Sequence, residues 1–297
     1  MKKVVLPLLI LSATGVHAAW DFSLKGDAQK AFTDNVNLSN TAPISDNFTI
    51  LGGYLQAKNE TWKLKLKVKM EKYKAQTEND NYVTDLSLQY KKSKNQDFTF
   101  AVFKQVYNGT PLVSTDTTSD NSGIRLAANF THDFKKSTQG YFSLSATLKN
   151  YAKIEGRKDK ILSAAVGIEH SFSKSFLIAP ELSFQKNDSA DDYYGNTTYG
   201  PNLLLSYSPD DSWEYFINGN YAHTNYSGRT VTRTIRSNKT VTEKEYQELF
   251  NTDAGVIYSF LQYSSLTAKY THSKNTSNNT TSAYSANIAY LGFGLKF

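Results

Sequence analysis

Trp62-Lys63-Leu64-Lys65-Leu66-Lys67-Val68-Lys69-Met70 is an unbroken alternation of apolar and basic residues. In an extended strand a period of two sends Trp62, Leu64, Leu66, Val68 and Met70 to one face and all four lysines to the other. A helix would scatter both sets around its circumference. A soluble sandwich can hold one such strand, so the neighbouring sequence has to discriminate.

The same alternation recurs along the chain. Tyr82, Leu86, Leu88 and Tyr90 alternate with Asp85, Ser87 and Gln89. Phe142, Leu144, Ala146 and Leu148 alternate with Tyr141, Ser143, Ser145, Thr147 and Lys149, and Trp213, Tyr215 and Ile217 alternate with Glu214 and Phe216. The pattern predicts strands near 20–33, 47–58, 61–73, 81–91, 97–107, 122–132, 139–152, 161–172, 175–186, 198–208, 212–225, 246–260, 263–272 and 282–297. Alternation is less clean around 47–58, 97–107 and 175–187, which leaves the strand count open by about two either way. Short connections such as Asn59-Glu60 and Pro209-Asp210-Asp211 follow the even strands. Longer ones, including 108–121 and 226–245, follow most odd strands. No composition shift marks a second domain.

The ends and the composition point the same way. Lys2 and Lys3, the apolar run Val4 to Leu11 and Val16-His17-Ala18 read as a secretory signal over 1–18, leaving 19–297 as the mature domain. That run is too short to cross a membrane as a helix, and the mean hydropathy is negative. Alternating strands that cross a membrane escape such averages. With no Cys, the chain is not a disulfide scaffold. Aromatics are abundant, with 20 Tyr, 17 Phe and 3 Trp, and a subset brackets the short connections. Trp20, Trp62, Tyr90, Tyr207, Trp213, Tyr263 and Phe297 are expected to form an aromatic girdle, because amphipathic rings prefer a headgroup layer. Phe98, Phe130 with Tyr141 or Phe142, Phe172, Phe176 and Phe260 join it. The modest basic excess is not clustered as nucleic-acid binding requires, so no nucleic-acid partner is expected.

The last segment places Asn287, Ala289, Leu291, Phe293, Leu295 and Phe297 on one face. It resembles the C-terminal assembly signal of bacterial outer-membrane proteins, here carried by Tyr290, Leu291, Phe293, Leu295 and Phe297. The whole layout resembles small monomeric porins of the OmpG type. That resemblance rests on architecture and on no internal motif. It implies an all-β, transmembrane, antiparallel up-and-down β-barrel of about 14 strands, with short periplasmic turns and longer extracellular loops. It also implies a place in the outer membrane, contact with its lipid and lipopolysaccharide, folding by the barrel-assembly machinery, and a monomer. A closed barrel satisfies every backbone amide internally and leaves the inner face free to be polar. The expected function is passive diffusion of small hydrophilic solutes, anionic or sugar-like ones among them. A non-conducting structural or adhesin-type barrel is the alternative.

Lys63, Lys65, Lys67 and Lys69 are the sharpest candidate lumenal feature, because ladders of Lys favour anions. Asp85, with Asp21 and Asp27, is a candidate balance for it. Arg125, Lys149, Glu169 and Glu214 are further lumen-lining candidates, and Glu181 and Asp253 add negative charge. The 226–245 loop reads as a hairpin around Ser237-Asn238 with Arg229, Arg233, Arg236 and Lys239. It either folds over the pore, binds lipopolysaccharide phosphates or stands exposed. Catalysis is the weakest expectation. His132 and His170 fall near short turns, and neither His223 nor His272 is followed by the His-x-Ser-Asn-Gly pattern of outer-membrane phospholipases. Asp191-Asp192 suits a solvated loop better than an omptin-like acid pair. No spacing of ligands suggests a metal site, and no cofactor motif is present.

Overall fold

The computed structural model describes residues 20–39, 41–108, 120–152, 154, 156–235 and 239–297. The expected signal at 1–18 and the turn Ser237-Asn238 lie outside the described residues. Alternation is realised as fourteen strands: β1 (Asp21–Thr33), β2 (Asp46–Lys58), β3 (Trp62–Tyr73), β4 (Asn81–Ser93), β5 (Gln96–Tyr107), β6 (Asn121–Lys135), β7 (Thr138–Tyr151), β8 (Lys158–Ser171), β9 (Phe176–Ser189), β10 (Asn196–Tyr207), β11 (Trp213–Ile235), β12 (Lys239–Phe260), β13 (Ser264–Ser277) and β14 (Tyr284–Lys296). Each pairs antiparallel with its sequence neighbours, and β1 pairs with β14 to close the ring. The closure is stitched by Leu24 N–H donating to the Phe297 carbonyl at 2.8 Å and Phe297 N–H donating to the Leu24 carbonyl at 2.7 Å.

The two faces differ in what they can tolerate. Phe22, Leu126, Leu182 and Leu291 are exposed, as are Leu24, Ile124, Phe184 and Phe293 of the same parity on their strands. Among the described residues only Ala31, Phe48, Ile50, Ala101, Tyr151, Ala179 and Ala286 are buried hydrophobics, and four of those seven are alanine. Among the described residues the one buried cluster, Ala31, Phe48 and Ile50, is too small to hold the fold in water. A soluble protein rarely exposes apolar surface on this scale. Hydrocarbon outside and hydrogen-bonded ladders within the wall supply the missing stabilisation, since a closed sheet leaves no unpaired edge.

Short turns gather at one rim and longer connections at the other. At the short-turn rim the Asn59 side chain accepts from the backbone of Thr61 and Trp62, and that of Asp210 accepts from Ser212 and Trp213. This local side-chain bonding is why Asn and Asp recur in tight turns. Aromatic rings surround the same rim: Trp62–Tyr90 at 4.8 Å, Trp213–Tyr258 at 4.5 Å, Tyr207–Tyr215 at 6.3 Å and Tyr263–Phe297 at 5.7 Å between centroids. Trp20 is exposed beside them. The Tyr141/Phe142 alternative resolves by parity. Phe142 packs on Phe130 outside, whereas Tyr141 points inward and donates to Glu181. Tyr290 likewise faces inward, apart from Leu291, Phe293, Leu295 and Phe297 on the outer face.

At the other rim two strands run past their expected ends at 225 and 246. β11 and β12 continue into the hairpin expected within 226–245, with a register shift between Asn225 and Thr230. Thr230, Thr232 and Thr234 alternate with Val231 and Arg233 there, opposite Thr240, Val241 and Thr242, so the β-preference of the side chains carries the pairing past the rim. The result is an extended hairpin, with Thr232 and Thr242 hydroxyls 3.0 Å apart across it.

Candidate channel lumen

Inward-facing residues build the candidate site. On β3 these are Lys63, Lys65, Lys67, Lys69, Glu71 and Tyr73, opposite in parity to exposed Leu64 and Val68. The lysines sit in register beside Lys58, Gln56, Tyr54 and Gly52 of β2 and Gln89, Ser87, Asp85 and Val83 of β4. Lys69 is paired with Glu71, which also accepts from the Asn81 amide at 2.6 Å. Lys65 lies 4.0 Å above the Tyr54 ring. Among the described residues Lys63, Lys65 and Lys67 have no carboxylate within 4.0 Å. Asp85 is the register partner of Lys67, yet its ion pair is with Arg125, at 3.0 Å. Arg125 reaches it across β5 because Ala101 of that strand is small and fully buried. The expected balance of the ladder by Asp85 therefore does not form as a direct pair.

The wall formed by β6–β10 is different. Ser143, Ser145, Ser163, Ala165, Ser183 and Thr198 face inward and border an indentation of about 400 Å³. Its charged groups lie lower or at its edges. Tyr141 crosses over β8 to reach Glu181 at 2.9 Å, and Gly167 makes that crossing possible, because a Cβ there would collide with the tyrosine ring. Glu214 accepts from Ser206 at 3.2 Å near the short-turn rim, where Glu169 is exposed. Further round, Asp253 lies 3.7 Å from Lys269. Lys149 sits 4.9 Å from the Tyr151 ring, toward the long-loop rim.

The long-loop mouth is narrowed from two sides by groups that sequence reading missed. Beside β14, β1, β2 and β3, Phe48 stacks on Tyr73 at 4.8 Å and meets Tyr290 edge-on at 6.2 Å, over Ala31, Ile50 and Ile288. Beside β7–β10, Arg157 and Asp159 form a buried pair at 3.0 Å. The guanidinium lies between the Tyr151 and Tyr194 rings, 3.8 and 3.7 Å from their centroids. Asp159 also accepts from Tyr151, Asn187 and Ser189. The inward parity of Phe48, Tyr73 and Asp159 was available in the sequence; that of Arg157, in a connection, was not. Glu245 at the hairpin base accepts from Gln247 and Ser282 and lies 3.9 Å from Arg229, which ties the hairpin to its neighbours.

The histidines are dispersed. His132 and His170 meet Phe134 and Phe172 edge-on near the short turns. His223 lies 3.6 Å from Glu248, and His272 lies 2.8 Å from the Asn287 side chain. Asp191 caps a turn by accepting from Tyr193 N–H.

Closed antiparallel sheet, lipid-compatible outer face and polar inner face together define the fold class: an up-and-down β-barrel of fourteen strands, the architecture of outer-membrane channels. No protein-family model matches the chain, and comparison with curated proteins gives no match. Solved structures do match in fold. The CymD monoaromatic hydrocarbon channel aligns with a TM-score of 0.54 at 11% identity, over 93% of this chain and 88% of that one. The outer-membrane channel DcaP of Acinetobacter baumannii aligns at 0.50 and 12% identity, over 95% and 99%. An anion-selective porin from Comamonas acidovorans aligns at 0.50 and 10% identity, over 94% and 100%.

Proposed function

We propose that this chain is a porin-like channel of the bacterial outer membrane through which small hydrophilic solutes diffuse. The supporting observation is the contrast within one wall: every strand offers apolar side chains outward, and β6–β10 offer Ser, Thr and Ala inward, where they crowd the lumen least. Fourteen strands lie toward the number that leaves an aqueous channel rather than a filled interior. The short-turn rim faces the periplasm and the long-loop rim faces outward, as in bacterial barrels generally. The mature chain starts after Ala18, the barrel-assembly machinery reads Leu291, Phe293, Leu295 and Phe297, and the channel works as a monomer. Lys63, Lys65 and Lys67, with no direct carboxylate partner, give it a preference for anions. The reading is of a non-enzyme: the histidines are scattered over the rims and outer face, and His170, which meets the Thr138 hydroxyl at 2.8 Å, lies beside a short turn.

Osmotic swelling of proteoliposomes tests the channel. Vesicles carrying the refolded protein are expected to swell in arabinose and glucose faster than empty ones. Swelling equal to that of empty vesicles would favour the structural or adhesin-type barrel, a reading supported by the protruding hairpin of β11 and β12.

A further inference from the structure

Beyond Lys69, toward the long-loop rim, the inner wall holds a cavity of about 230 Å³ that free diffusion leaves unused. Its walls come from inward positions on β1–β5, β13 and β14 and from the connection that follows β1. At about 30 Å³ per water it has room for roughly seven waters. One six-membered sugar ring takes up that space, and a disaccharide does not fit.

The lining suits such a ring. Phe48, Tyr73 and Tyr107 supply aromatic surface, against which the C–H groups of a sugar can pack while its hydroxyls stay free. Glu71, Asn79, Asn81 and Ser273 supply polar groups. Glu71 alone among the described lining residues is charged, and Lys69 already neutralises it. A neutral solute therefore fits here, unlike the anions that Lys63, Lys65 and Lys67 attract deeper in the lumen. Asn79 is only 8% exposed, yet its amide nitrogen has no hydrogen-bond partner among the described residues. A buried amide is costly to leave unpaired, and a solute hydroxyl in the cavity would satisfy it. Asn81 spends its amide nitrogen on Glu71 at 2.6 Å, which leaves its Oδ1 as an acceptor. A donor and an acceptor two residues apart match adjacent hydroxyls on one ring.

The cover of the cavity is built in advance. Asn35 donates to the Ser39 and Ser285 carbonyls at 2.8 and 2.7 Å and accepts from Ser39 N–H, which pins the β1–β2 connection against β14. Leu38 of that connection lines the cavity with its backbone in the left-handed region, at φ 48°. Leucine rarely adopts that conformation, and strain of this kind gathers at ligand clamps.

We propose that this cavity is a subsite for one neutral pyranose. Its ring lies against Tyr73 and Tyr107, and adjacent hydroxyls meet Asn79 Nδ2 and Asn81 Oδ1. The proposal deepens the channel reading, and rests on it for the cavity's place in a solute path, by naming the class of solute held at the mouth. A cover fixed before binding lowers the ordering cost of holding so small a ligand.

The test titrates the full refolded protein, in a detergent without a sugar headgroup, with D-glucose, D-galactose, the acyclic polyol mannitol and glucuronate. Binding is read by saturation-transfer NMR. Wild type is expected to bind at least one of the two hexoses, with mannitol and glucuronate weaker. Asn79→Leu, which keeps the bulk and removes the amide, should weaken that hexose about fivefold, as loss of one hydrogen bond implies. Its thermal stability should equal or exceed that of wild type, because an unpaired buried amide is gone; lower stability would make Asn79 a structural residue and overturn the proposal. Ser273→Trp, which fills the cavity from β13, should abolish hexose binding. Equal affinity of wild type and Asn79→Leu, or mannitol bound as tightly as the hexoses, would also overturn it. Liposome swelling with the same sugars is recorded in parallel. Swelling without binding overturns the subsite and leaves the channel; binding without swelling keeps the subsite and defeats the channel reading alone.

Discussion

The inner wall of β14 and β1–β4 and that of β6–β10 are built on the same outward alternation and carry opposite chemistry. One side presents Lys63, Lys65, Lys67 and Lys69, with Glu71, Phe48 and Tyr73 crowding its mouth. The other presents Ser143, Ser145, Ser163 and Ser183 and narrows only where Arg157 and Asp159 close over it. The difference shows where the fold's demands stop. Hydrocarbon dictates the outer residues of every strand, whereas the inner residues answer only to water, to one another and to the solute. Charge and bulk can therefore be concentrated on one arc while another stays nearly bare.

The two mouth clusters test whether the arcs are held by different forces. Arg157→Ala leaves Asp159 buried without its cation. A broken buried pair costs about 3–5 kcal/mol, so the urea midpoint in liposomes should fall sharply, with more current noise. An unchanged midpoint would show that this side of the mouth is not held by the pair. On the opposite side, Phe48→Ala removes a stacked ring from an apolar cluster, at a cost of about 3 kcal/mol, and salt should not alter the loss. Salt-dependent destabilisation there would erase the distinction between the arcs.

Selectivity sharpens the same contrast at a smaller energy. The variant K63Q/K65Q/K67Q should move the reversal potential in a salt gradient toward cations, by a severalfold change in permeability ratio or about 1 kcal/mol. Substituting Ser145→Gln and Ser163→Gln on the bare arc should lower conductance and leave the permeability ratio nearly unaltered. If both sets change selectivity equally, the lysine arc has no special part in it. The smallest effect is expected from deleting 230–243. The hairpin pairs with itself beyond the rim, so conductance and gating should match wild type; altered gating would mean that it reaches the pore.

Strand number, order and most boundaries were legible because a two-residue period leaves a direct trace in the chain. Even the weak segment at 175–187 is a full strand, β9: its neighbours on both sides impose the register that Pro180 and the mixed pattern obscure. Parity also places Lys63 to Lys69, Arg125, Lys149, Glu169 and Glu214 on the inner face. What parity cannot express is contact between non-adjacent strands. Asp85 meets Arg125 across β5, and Tyr141 meets Glu181 across β8, only because Ala101 and Gly167 are small. Arg157 comes from a connection, where no period operates. The mouth was for that reason the least readable part of the molecule, and its buried Arg157–Asp159 pair was missed.

Planar-bilayer recording of the purified, refolded protein measures the water-filled ring directly. The account predicts discrete, ohmic current steps of one size per inserted molecule, with a zero-current potential on the anion side in a KCl gradient. A protein that inserts with full β-structure yet passes no current, or that stays soluble without detergent, would contradict it.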